Sequence, residues 1–89
     1  MLPAGLKQHI NGSTVAQDIL MVMVETGGST TTRDLKVRTT NNQNEILKEL
    51  MKLDQYNILT KKYHTNGCEW GLKVSFVDTI AEYVNEVKA

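Results

Sequence analysis

The dipeptide Asn66-Gly67 constrains this chain more than any other feature. Both residue types accept positive φ, which a type I′ turn requires at its two central positions. On either side lie Ile58–Thr65 and Cys68–Val74, so the reading is a hairpin closed at that dipeptide. With such a turn Tyr63 faces Trp70, Lys61 faces Leu72 and Leu59 faces Val74. That mostly apolar face is expected on the core, while His64 opposite Glu69, and Thr60 opposite Lys73, face solvent.

The rest of the chain reads as helix. Residues 1–12 show no period, and Pro3, Gly5 and Gly12 suggest an N-terminal arm or loop. Residues 13–89 form one domain. Ser13-Thr14 open a first helix in which Val15, Ile19, Val22 and Met23 recur at helical spacing. Its run Ile19–Val24 is apolar all round, which calls for a central, buried helix ended by Gly27-Gly28. Ser29-Thr30 is an extended link, and Thr31 or Thr32 caps a short second helix to about Val37 with Leu35 as its core residue. After a polar break, a third helix spans Gln43 to Asp54, with Ile46, Leu47, Leu50 and Leu53 apolar. Asn57 then favours a left-handed stop. Ser75 caps a last helix with Asp78 three residues on, and Phe76, Ile80, Tyr83, Val84 and Val87 form its stripe. The fold class is α+β and mostly helical.

Composition excludes several functions. Mean hydropathy is −0.31 and the longest apolar run, Ile19–Val24, falls far short of the ~20 residues of a membrane helix. Met1–Gly12 lacks a signal-peptide stretch, so the expected location is cytoplasmic or nucleoid-associated, with no membrane partner. The lone Cys68 and the distant His9 and His64 offer neither a disulfide nor metal-ligand spacing, and no metal or other cofactor is expected. There is no Gly-rich phosphate loop and no nucleophile with a base in view, so the chain does not read as an enzyme. Net charge is zero but uneven: between Arg33 and Lys73 eight basic residues face five acidic ones, and the flanks carry the compensating acids. Polyanion binding depends on local cations rather than on the total.

Residues 30–74 resemble the winged helix-turn-helix pattern, carried by Thr31-Thr32, Leu35, Ile46, Leu50, Leu53, Asn57 and Ile58-Leu59. Asn57 stands where the family usually has glycine, which keeps the backbone logic. The resemblance implies a three-helix core, a β-hairpin wing and a C-terminal helix. It further implies sequence-specific binding of double-stranded DNA as a small transcriptional regulator, with the third helix in the major groove and the wing on the backbone.

A groove-entering helix reads bases with donors and acceptors near its start, here Thr39, Thr40, Asn41, Asn42, Gln43 and Asn44. Lys48 and Lys52 share one helical face. Lys61, Lys62 and His64 lie towards the wing tip, and Arg33, Lys36 and Arg38 on the second helix are placed to hold phosphates. Each feature has a plainer account. The asparagines serve as caps, the third-helix lysines pair with Glu45 and Glu49 on a solvated face, and Lys61-Lys62 guard an edge strand. Tyr63 and Trp70 pack wing against core. Leu47 and Met51 stand where groove-facing helices often carry polar residues. They suit a second reading, a protein-binding winged helix that docks on polymerase or another macromolecular machine. The last-helix stripe Phe76, Ile80, Tyr83, Val84 and Val87 either joins two copies into a homodimer or closes the core.

Overall fold

A computed structural model of the chain describes residues 2–27, 29–65 and 67–88. In chain order its elements are α1 (Leu6–Asn11), α2 (Thr14–Glu25), β1 (Ser29–Thr31), α3 (Thr32–Thr39), α4 (Gln43–Asp54), β2 (Leu59–His64), β3 (Gly67–Leu72) and α5 (Val74–Lys88). The first, second and third helices expected from sequence are α2, α3 and α4. Apart from β1, the order from α2 onward is the one the resemblance implies.

The stretch expected as an arm or loop contains α1, whose Leu6 and Ile10, four apart on one face, are fully buried. Six residues hold only this one apolar pair, too little to show a period. Hydrogen bonds help fasten α1: Gln17 donates from Nε2 to the Ile10 carbonyl at 2.8 Å, and the Tyr83 hydroxyl donates to the Lys7 carbonyl at 3.0 Å.

Helix α2 begins where the hydroxyl of Ser13 accepts from the Ala16 N–H at 3.1 Å. Ala16, Ile19, Leu20 and Met23 are fully buried, as an all-apolar run requires. Gly27 takes φ 81 just past its end, and Gly28 lies outside the described residues. Thr31 caps α3 by accepting from the Asp34 N–H at 3.1 Å. Asn42 caps α4 in the same way, accepting from the Glu45 N–H at 2.9 Å. Each such cap stabilises by about 1 kcal/mol. Between the two helices Thr40 adopts φ 60, an uncommon conformation for a β-branched residue.

Asn57 has φ 61 and turns the chain into β2. The sheet order is β1-β3-β2, all antiparallel, so the link expected at Ser29-Thr30 is a strand that joins β3. The hairpin register differs from expectation. Lys61 pairs with Trp70, Tyr63 with Cys68 and His64 with Gly67, so Gly67 stands in the strand rather than at a turn centre. Gly67 opens β3 at φ 133, a conformation open to glycine; Asn66 lies outside the described residues. The pairing is displaced by two, which keeps every side chain on its expected face.

Burial on that face is narrower than expected. Leu59, Trp70 and Leu72 are buried, but Tyr63 is 75% exposed and Val74, which leaves the sheet to start α5, is 92% exposed. Helix α5 begins at Val74, so Ser75 stands in its first turn rather than before it. The core joins residues of all five helices to Ile58, Leu59, Trp70 and Leu72 from the hairpin side.

Candidate nucleic-acid interface

The residue pattern of α4 sets its orientation. Ile46, Glu49, Leu50 and Leu53 are buried, and Gln43, Asn44, Leu47, Lys48, Met51 and Lys52 are exposed on the other side. Among the described residues, no ion pair engages Lys48 or Lys52. The expected pairing with Glu49 does not form, because that carboxylate turns inward. Glu49 meets the His9 ring, and the Ser13 hydroxyl donates to its second oxygen at 3.3 Å. One polar knot therefore joins α1, the cap of α2 and α4. Helical spacing places Glu49 on the arc of Ile46, Leu50 and Leu53, which is the signal that could have marked it as inward.

The first residues of α3 and α4 converge. Thr32, Arg33, Lys36 and Gln43 line one cleft of about 250 Å³. Thr31, Thr32 and Arg33 also share a cleft of about 500 Å³ with His64, Gly67, Cys68 and Glu69 of the wing. Arg33 belongs to both, so α4, α3 and the wing tip form one continuous surface.

Four expected residues stand apart from it. Thr39 is buried, its hydroxyl donating to the Leu35 carbonyl at 2.6 Å. Arg38 shares a different cleft with Asp18, Glu25 and Lys88, where acids reduce its pull on phosphate. The Asn41 amide nitrogen is shut away from solvent. Lys61 points to the opposite face of the ribbon from Lys62 and His64, and its ammonium lies 4.6 Å from the Trp70 ring centre and 4.9 Å from that of Tyr63. Hydrogen bonding with Tyr63 is the largest influence on Lys61 and raises its pKa above the ordinary 10.5. Tyr63 thus stacks on a cation at the surface instead of packing into the core.

Glu69 sits opposite Lys62 at the centre of the wing. The Ser29 hydroxyl donates to one of its oxygens, and His64 Nε2 lies 2.7 Å from the other. Ser29 first, and His64 second, lower its pKa below the ordinary 4.5. The carboxylate pins β1 and β2 to β3 and is tied up by its neighbours.

The last-helix stripe divides. Ile80 and Val84 are fully buried in the chain's own core, whereas Phe76, Tyr83 and Val87 are half-buried. Ile80 and Val84 therefore cannot serve a second copy. Among the described residues, no group of three or more His, Cys, Asp or Glu side chains is placed to hold a metal ion. No helix there is long and apolar enough to cross a membrane.

No protein-family model and no curated protein matches the chain. Solved structures do. Lactococcus lactis ZitR, as its C30AH42A mutant, superposes with a TM-score of 0.70 at 20% identity over 82% of this chain and 51% of that one. Bacillus subtilis YusO gives 0.73 at 15% identity, over 91% and 59%. Bordetella bronchiseptica BpsR, whose DNA binding is regulated by 6-hydroxynicotinic acid, gives 0.62 at 14% identity, over 84% and 58%. The chain thus spans about half the length of ZitR and less than two thirds of the other two. Element order, sheet order and these likenesses agree on one architecture: the chain has the winged-helix fold.

Proposed function

We propose that this chain binds double-stranded DNA sequence-specifically as a small transcriptional regulator, with α4 in the major groove and the β2–β3 wing on the backbone. The observation that carries the reading is the surface joined through Arg33. Two adjoining clefts share it, one with Lys36 of α3 and Gln43 of α4, the other with His64 and Gly67 of the wing. Major-groove recognition needs a helix with free donors and acceptors near its start, and cations within reach of phosphates. Gln43 and Asn44 supply the first; Arg33, Lys36, Lys48, Lys52 and Lys62 supply the second. Regulated DNA binding in BpsR, a protein of similar fold, supports the choice of partner. The reading includes no catalytic step. It assigns the protein to the cytoplasm or nucleoid.

Pairing of two copies is part of the proposal, since two half-sites multiply weak single contacts. From α5 the half-buried Phe76, Tyr83 and Val87 are the side chains that remain to contribute.

A salt titration of duplex binding tests the reading. Affinity should fall linearly on a log–log scale, with a slope of roughly −0.9 per phosphate neutralised. Lys62→Ala should weaken all duplexes alike, and Gln43→Ala should blur preference at particular bases. Binding indifferent to salt, or absent for every duplex, would move the assignment to docking on a protein such as polymerase.

A further inference from the structure

The outward arc of α4 carries two apolar side chains that its own fold leaves uncovered. At 100° per residue, Asn44, Lys48 and Met51 lie opposite the buried Ile46, Glu49, Leu50 and Leu53. Leu47 flanks them on one side and Lys52 on the other. Met51 is 64% exposed and Leu47 is 36% exposed. We infer that Leu47 and Met51 read thymine 5-methyl groups in the major groove, so that the bound half-site carries A·T pairs at two defined positions. This rests on α4 being the groove-entering helix.

Three arguments select this occupant. Thymine alone presents an apolar group in the major groove, and it does so beside hydrogen-bonding edges. The ridge is set between amide and ammonium groups in the same way: Asn44 precedes it, and Lys48 and Lys52 run alongside with one exposed acid, Glu45, in the first turn. That cationic surround suits a polyanion. Size is the second argument. A specific protein interface buries about 800 Å² on each partner, far more than two side chains of one helix provide, whereas one methyl needs one side chain. Spacing is the third. Leu47 and Met51 are one turn apart, about 6 Å along the axis, which matches two base steps of about 3.4 Å. Asn44 adds an amide suited to an adenine edge, and adenine is thymine's partner.

The test begins with duplexes selected from a randomised pool by the wild-type protein, with affinity followed by fluorescence anisotropy. Each thymine is then replaced singly by uracil, which pairs identically and lacks only the methyl. Two positions about two steps apart should each lose roughly three- to five-fold in affinity. The loss at one should vanish in Leu47→Ala, and the loss at the other in Met51→Ala. Both variants should melt within a few degrees of wild type, since neither side chain is in the core. Salt-sensitive duplex binding untouched by uracil at every position overturns the inference and leaves the DNA reading standing. Uracil losses that persist unchanged in both variants overturn it as well. No duplex binding at any salt overturns both, and gives the ridge to a protein partner.

Discussion

His9 and Glu49 test whether a polar knot, rather than apolar packing alone, fixes α1 to α4. The two side chains are 20% and 8% exposed, so His9→Leu strands a nearly buried carboxylate with Ser13 as its remaining partner. Breaking one side of a fully buried pair costs about 3–5 kcal/mol. The exposed edge of His9 lets water reach the site, and a cost of about 2–3 kcal/mol follows. The His9 ring also lies 5.7 Å from that of Tyr56, and leucine cannot reproduce this aromatic packing. For a domain of this size the predicted fall in Tm is roughly 10–20 °C. Glu49→Leu removes the buried carboxylate and leaves His9, which is 20% exposed, in reach of water, and costs about 1 kcal/mol. With both replaced by leucine no charge is stranded, and stability should return to within about 1 kcal/mol of wild type. Guanidinium denaturation of the four proteins, read as midpoint and slope, completes the cycle. Additive losses in the double variant would refute the reasoning, because they would show that the two groups act independently.

Three further outcomes follow from local geometry. Thr40→Asn should stabilise by about 0.5–1 kcal/mol, because asparagine tolerates the left-handed conformation that threonine holds under strain; Thr40→Val should give no gain in the same melt. Asn42→Ala should lose about 1 kcal/mol of stability through the α4 cap, whereas Gln43→Ala should leave the melting curve in place and change only base preference. Glu69 contributes stability above its ordinary carboxylate range that is lost as pH falls through its lowered folded-state value. The Tm difference between wild type and Glu69→Gln should therefore be largest near neutral pH and shrink in acid below about 4.5; a constant difference would contradict the assignment.

Local chemistry was legible in the sequence. Asn57, the pair Thr31-Thr32, the asparagines before α4 and the apolar positions of α2 and α4 announce their roles through a φ preference, a cap or a period, and the fold selects Thr31 and Asn42 as the caps. The hairpin was legible as a hairpin, but its register was not. Gly67 can serve as a turn centre or as the first residue of a strand, and strand pairing decides between them. Interactions distant in sequence were hidden. Nothing near Glu49 points to a histidine 40 positions earlier. The burial of Thr39 and the departure of Arg38 from the shared surface depend on how α3 sits against α2, and pattern alone does not fix that packing.

Thr31 ends β1, where it pairs with Glu69, and its hydroxyl also caps α3. Strand β3 in turn carries the wing. Thr31 thus couples the sheet that carries the wing to the start of α3, and the fold sets the spacing between wing and helix pair. Under the DNA-binding reading proposed above, a duplex would meet that spacing by bending or twisting, and stiff sequences would bind less well even where their bases are right.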